Sequence, residues 1–383
     1  ARASLFTGLY SHNNDVGFNL RRDSILDQAS IYPTIGKSFK QAGYNIAYFG
    51  KEHAGGYGYA SATEFGSMLH SDGGMLAEGS AYDPIFTQDA IDYVNNSVDD
   101  KPFFMTLSLI NPHDICRVLG GKVAGATFTD AIHFARNDDE PYLRFQDRPN
   151  LPENHNSTYE KGMILHKDFM YYEVFGLNEN EWKRFISTYQ LLIENTDRLI
   201  GQLLAAVKQK GIDDNTIIVF TTDHGEMAGS HKLIAKTTFY EESSKIPIII
   251  KYPKIINPKT VNKKSLVGTI DIMPTLLDLA GINIPENLDG KSFKDEIINP
   301  EIESNDFKVL FSQNQFGRMV RFDNYKYVRS VVYGKKYEIL FDLINDPLES
   351  KNLINNSNHS SAIEKGRNLL DEWLTNQGTN LIT

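Results

Sequence analysis

Three short stretches carry the residues whose types and spacing could do chemistry. "YFGKEHAGG" supplies Lys51 and His53, "LINPHDI" supplies His113, and "FTTDHGEMAGSHKLIAK" supplies Asp223, His224, His231 and Lys236. An aspartate followed directly by a histidine offers an oxygen and an imidazole to one divalent ion. Lys51, Lys236, His53 and His113 could neutralise a bound oxyanion and donate a proton to a leaving oxygen. Together they describe a hydrolase of anionic esters. Each stretch alone also has an ordinary structural reading: Lys-x-His as a solvated loop, Pro-His as a turn, Asp-His-Gly as a helix cap with a glycine turn. Chemistry is favoured by their common position, because each follows a run that reads as a strand.

Those runs are the elements that must do the positioning. Pro33, Ile35 and Phe39 predict a helix ended by Gly43, followed by a strand over 45–49. "KPFFMTLSLI", "NTIIVFTT" and "KIPIIIKYP" are continuous apolar runs, the pattern of strands buried on both faces of a parallel sheet. Between the first two, apolar residues from Trp182 to Val207 recur at three and four and close at Gly211, a long amphipathic helix. The alternation predicts a doubly wound, mostly parallel α/β sheet, and in such sheets ligands bind beyond the carboxyl ends of the strands. After about residue 295 the texture changes to short runs, "FKVLFSQ", "RMVRFDN", "YKYVRSVVY" and "KYEILFDL", then a closing helix around 361–376. The expected division is a catalytic α/β domain over 1–295 and an α+β subdomain over 296–383. The least patterned stretch, roughly 115–180, reads as an insertion.

Composition bounds the partners. The 383 residues hold 39 basic and 49 acidic side chains, net charge −10, which argues against general binding to nucleic acid or an anionic membrane. Nowhere do eighteen apolar residues run uninterrupted, so no membrane span is expected. A single cysteine, Cys116, excludes an intrachain disulfide framework and leaves the compartment open.

Taken together the motifs resemble those of the type I, formylglycine-dependent sulfatases of the alkaline phosphatase superfamily, over nearly the whole chain. In that family the nucleophile sits in Cys/Ser-x-Pro-x-Arg followed by a Leu-Thr-Gly-like triplet. "ARASLFTG" supplies the final x-Arg and Phe6-Thr7-Gly8 at the same spacing, so the motif's Cys or Ser falls three positions before Ala1. "FGKEHAG", "NPHD", "DHGEMAGSH" and "AKTTFYEES" match further site motifs, and "MPTLLDLAGI", "LDGKSF" and "LFDLINDPLESKNL" match framework motifs. Glu52 replaces an aromatic often found inside Gly-Lys-x-His, and Ile115 a proline often found after Pro-His-x.

The resemblance implies a mechanism. A formylglycine matured from the upstream Cys or Ser by a formylglycine-generating enzyme attacks sulfur as its hydrate, and a Ca²⁺ or other divalent ion polarises the sulfate oxygens. Arg2 holds the hydrate and the metal-side charge; Lys51 and Lys236 bind sulfate; His113 or Lys236 protonates the leaving alcohol; His53 assists release of sulfate. Asp223 and His224 are the metal ligands from this chain. His231 orients the metal loop or touches substrate. The family's two further acidic ligands also precede Ala1, so a protein starting there is expected to be inactive and to lack the first strand of its sheet. The implied substrate is a sulfated small molecule or glycan, with Tyr57, Tyr59, Tyr171 and Tyr172 available to stack on sugar rings. The implied location is periplasmic or extracellular, or lysosomal in a eukaryote. Alternatives are a phosphonate or phosphate ester hydrolase of the same superfamily and a non-catalytic sulfoglycan-binding relative.

Overall fold

The computed structural model of the chain describes residues 1–16, 32–52, 64–69, 79–96, 101–116, 149–164, 177–302 and 304–379, with the backbone alone described over 64–69. A short helix α1 (Arg2–Thr7) precedes the helix expected after Pro33, α2 (Ile35–Gln41), whose cap Thr34 accepts a hydrogen bond from Lys37 N. Then come β1 (Asn45–Lys51), β2 (Glu64–Leu69), α3 (Gly79–Asn96) and β3 (Phe103–Ser108), the three strands pairing in parallel in the order β2–β1–β3. β1 is buried on both faces. Ile46 and Tyr48 pack on Ala3 and Phe6 of α1 and on Ile35 and Phe39 of α2, while Ala47 and Phe49 pack on Ala90 of α3. Each large side chain removed from water in this way contributes about 1.5–3 kcal/mol, so α1 and α2 are held firmly against the central strand.

The long amphipathic helix is α4 (Glu179–Gln209); Asn178 and Glu181 exchange side-chain and backbone bonds as a capping box, which starts the helix two residues before Glu181. β4 (Ile218–Thr221), α5 (Glu241–Ser244) and β5 (Ile248–Lys251) follow. Here the structure departs from the expectation of doubly buried parallel strands. β4 and β5 pair antiparallel with each other, and Phe220 and Ile249 are 38% and 61% exposed. Their apolar residues face a cavity of 3820 Å³ that is also lined by Ile193 and Leu204 of α4 and by β3. An unbroken apolar run records apolar surroundings and does not encode strand direction. β3 and β4 each present to this cavity an edge with no strand partner among the described residues.

After α6 (Ile272–Leu279) and α7 (Lys294–Ile298), the expected hairpins form an antiparallel sheet of β6 (Val309–Gln313), β7 (Gly317–Phe322), β8 (Tyr325–Val332) and β9 (Lys335–Asp342), closed by α8 (Ser360–Asn376). One face, with Val320, Phe322, Tyr327 and Leu340, packs on Leu370 and Trp373 of α8. The opposite face, with Met319, Val328, Ile339 and Phe341, packs on Met227, Leu233, Phe239 and Tyr240. The C-terminal sheet therefore shares a core with the loop that carries Lys236. Much of the stretch read as an insertion, and Tyr57, Tyr59, Tyr171 and Tyr172, lie outside the described residues.

Candidate active site

The carboxyl ends of β1, β3 and β4 meet at one rim of the cavity. Gly50 makes the approach possible: its φ is +102°, and a Cβ there would stand 2.1 Å from Ser108 O of β3. The next residue, Lys51, is buried, and its carbonyl accepts from Tyr48 Oη at 2.8 Å. α1, fixed by Ala3 and Phe6 in the core, delivers Arg2 to the same place. Arg2 Nε donates to Asp223 Oδ2 at 2.9 Å, and Nη1 donates to Ser108 Oγ at 2.7 Å and to Lys51 O at 3.0 Å. One guanidinium thus joins three strand ends.

Asp223 and His224 follow β4. With Oδ2 engaged by Arg2, the other carboxylate oxygen, Oδ1, lies 3.7 Å from His224 Nε2. His224 Nδ1 is 2.8 Å from Gly225 O, so the bonded tautomer donates from Nδ1 and leaves Nε2 as a lone-pair donor. Burial alone would raise the Asp223 carboxyl, but Arg2 and His224 hold it well below the usual carboxylate range. Burial pushes the His224 imidazole down, against the pull of Asp223. An ionised oxygen and an imidazole nitrogen 3.7 Å apart fit two ligands of a divalent ion. Among the described residues no cluster of three or more His, Cys, Asp or Glu forms a complete cage, so these two donors are a partial shell.

Gly225 closes the turn. Its N–H donates to Ser243 O at 2.9 Å, and a Cβ at 225 would come within 2.0 Å of Glu242 O. The loop beyond contains Ala228, His231, Lys232, Ala235 and Thr237, all non-glycine residues at φ between 43° and 76°. Such left-handed backbone persists only where the surroundings over-determine it, and it concentrates at functional sites. Glu226 accepts from Ala235 N across the loop, and Lys236 emerges between two of the left-handed residues onto the cavity wall. Burial, then the charges of Arg2 and Lys236, push Lys51 down to about 8, with Asp223 opposing.

His113 also lines the cavity, in the turn after β3. Asp83 of α3 holds that turn, accepting from Ile110 N at 2.7 Å and Asn111 N at 2.9 Å, and burial pushes its carboxyl up to about 7 in spite of both bonds. His231 is placed apart: it is 1% exposed, its ring stacks on Tyr240 at 4.2 Å, and it is not on the cavity wall. His53 lies outside the described residues. The structure therefore brings together Arg2, Lys51, Asp223, His224 and Lys236, and places His113 on the wall of the same cavity. Sequence reasoning missed Ser108, Asp83 and Glu226, polar residues with no spacing signal, and Lys326, which no local pattern in "YKYVRSVVY" singles out.

An α/β sheet with a carboxylate–imidazole pair and cations near its strand ends is the arrangement of this chain, and its family is that of the alkaline phosphatase superfamily enzymes. The chain belongs to the sulfatase family, whose description fits residues 1–282, while that of the N-sulphoglucosamine sulphohydrolase C-terminal region fits 229–376. It is 27% identical to a Delta 4,5-hexuronate-2-O-sulfatase of Bacteroides thetaiotaomicron over 98% of this chain and 78% of that protein, and 26% identical to arylsulfatase K of Bos taurus over 92% and 68%. The solved structure of a 2-O GAG sulfatase superposes with a TM-score of 0.79 at 26% identity, covering 98% of this chain and 81% of the other. A phosphonate monoester hydrolase of Agrobacterium radiobacter, at 18% identity, TM-score 0.68 and coverages of 97% and 84%, shares the fold. Hydrolysis of sulfuric esters is the activity that family membership indicates. No helix among the described residues is long and apolar enough to cross a membrane.

Proposed function

We propose that the protein removes sulfate from a sulfated carbohydrate, with a 2-O-sulfated hexuronate as the first substrate to test. The observation that carries this reading is Arg2, which ties Asp223, Ser108 and Lys51 into one rim facing Lys236 and His113. Two of the similar proteins are named for 2-O-sulfate removal, one from a hexuronate and one from glycosaminoglycan. In this reading the nucleophile is a formylglycine matured by a formylglycine-generating enzyme from a Cys or Ser upstream of Arg2, and it supplies a carbonyl hydrate for attack on sulfur. Ca²⁺ or another divalent ion, held in part by Asp223 and His224, supplies positive charge at the sulfate oxygens.

The chain's own side chains do the rest. Arg2 keeps Asp223 ionised and its Oδ1 turned toward His224. Lys51 and Lys236 bind the sulfate oxygens and stabilise charge as the ester bond breaks. His113 gives a proton to the leaving sugar oxygen, with Lys236 as the other donor on that wall, and His53 assists release of sulfate. His231 acts through the loop it packs into. The catalytic unit covers 1–295 and the sheet and closing helix 296–383, and the enzyme works in the periplasm, outside the cell or in a lysosome.

The test is a panel of sulfated mono- and disaccharides, including 2-O-sulfated unsaturated hexuronate, offered to the full-length protein co-expressed with a formylglycine-generating enzyme. Sulfate release dependent on divalent ion and on the aldehyde, detected by mass spectrometry, is expected. Cleavage of phosphate or phosphonate monoesters with every sulfate ester left intact overturns the reading, as does sugar binding without turnover.

A further inference from the structure

Lys326 stands on β8 of the C-terminal sheet with its side chain fully enclosed, and its ammonium group has three partners. Nζ donates to Phe239 O at 2.6 Å and lies 2.7 Å from both Glu241 Oε1 and Glu349 Oε1. Glu349, itself 1% exposed, accepts from Glu241 N at 2.6 Å through its other oxygen. A lysine is rarely enclosed unless it is paired, and here every partner belongs to the chain around α5 or to the loop after β9. The same sheet grips that chain a second time, because Asn314 Nδ2, in the turn between β6 and β7, donates to Thr237 O at 2.9 Å. Lys236 therefore lies just before a segment pinned at residues 237 and 239 by the C-terminal sheet, in a loop that holds several residues in left-handed backbone.

We propose that Lys326 is a positioning residue for sulfate recognition, acting through the segment it clamps to set the place of Lys236. This rests on the reading that Lys236 binds sulfate. The site is then complete only when the C-terminal sheet is docked, although no side chain of that sheet needs to touch the ester.

The experiment is a kinetic cycle on the full-length enzyme with a sulfated disaccharide, comparing Lys326→Met, Lys236→Ala and the double variant. Lys326→Met is expected to raise KM and lower kcat/KM about tenfold or more, and the double variant to be no slower than Lys236→Ala alone, since a clamp has nothing to position once Lys236 is gone. Multiplying losses would show that Lys326 acts by another route and overturn the proposal, as would unchanged kinetics in Lys326→Met. If Lys326→Met does not fold, Lys326→Met/Glu349→Gln replaces it in the same cycle, because that pair leaves no carboxylate of Glu349 stranded without its cation. Should Lys236→Ala itself turn over normally, the sulfate-binding reading of Lys236 falls, a result separate from any behaviour of Lys326.

Discussion

Two clusters of cation and carboxylate sit on opposite sides of one loop, and they differ in what surrounds them. At the rim, Arg2 pairs with Asp223 where both side chains keep some exposure, 19% and 24%, and open onto the large cavity. Behind the loop, Lys326 pairs with Glu241 and Glu349 in the shared core, with the lysine wholly enclosed. At the rim, Asp223 Oδ1 lies 3.7 Å from His224 Nε2, whereas the enclosed ammonium of the inner cluster is surrounded by one carbonyl and two carboxylates. Similar chemistry thus suits two jobs: on the wall of a cavity it can meet a ligand, and around an enclosed lysine it holds structure. The two also titrate in opposite senses. Arg2 keeps Asp223 low, while burial pushes Glu349 up to about 7 even with Lys326 beside it.

The sharpest way to break this comparison is to remove the rim carboxylate. Asp223→Ala in the full-length protein is expected to abolish divalent-ion binding, read by metal analysis or calorimetry, and to reduce sulfatase activity by about a thousandfold or more. Unchanged metal content and turnover would dissolve the distinction between the clusters. Lys51→Ala and Lys236→Ala come next: each is expected to slow kcat/KM by about a hundredfold, the ~3 kcal/mol associated with a charge placed against a developing oxyanion, while the melting temperature stays close to that of the parent. A loss that follows unfolding instead would remove both lysines from the catalytic rim.

A smaller effect should appear in the pH profile. Because Lys51 is held near 8 and must be protonated to bind sulfate, kcat/KM is expected to decline by up to tenfold per unit as pH rises through about 8. Lys51→Arg should move that limb to higher pH; a limb that stays in place belongs to another group. The smallest expected effect concerns stability. Glu349 holds its proton in the folded state up to about 7 but loses it near 4.5 when unfolded, so its contribution declines as pH rises across that window. Asp223 has the reverse sign: its folded value is depressed below 3.8, so its contribution is present above that pH and is lost on acidification. Denaturation curves at pH 5 and pH 7 should therefore differ less for Glu349→Gln than for the parent. An equal difference would mean that Glu349 does not titrate in this range.

Much of this was legible in the chain. Lys51, His113, Asp223, His224 and Lys236 could be picked out because each lies in a short polar signature after an apolar run, and local order along the chain is what such signatures encode. The long helix was legible from its period, and its start was missed by two residues because Asn178 caps it from outside the apolar pattern. The pairing of β4 with β5 was not legible, since an apolar run reports surroundings and not the direction of a neighbour. Lys326 was not legible either: no local pattern in "YKYVRSVVY" singles it out.

What the sequence determined by itself is the inventory: which strands are apolar enough to be buried, where they end, and which acids, imidazoles and amines follow them. These depend on residue type and near-neighbour spacing. What only the tertiary structure decided is the company each charge keeps. Arg2 and Asp223 are 221 positions apart and Lys326 and Phe239 are 87 apart, so neither pair leaves a trace in local pattern. Whether a charge is an available ligand or a buried clamp depends on the partners and solvent that folding brings to it, and a linear chain does not display those.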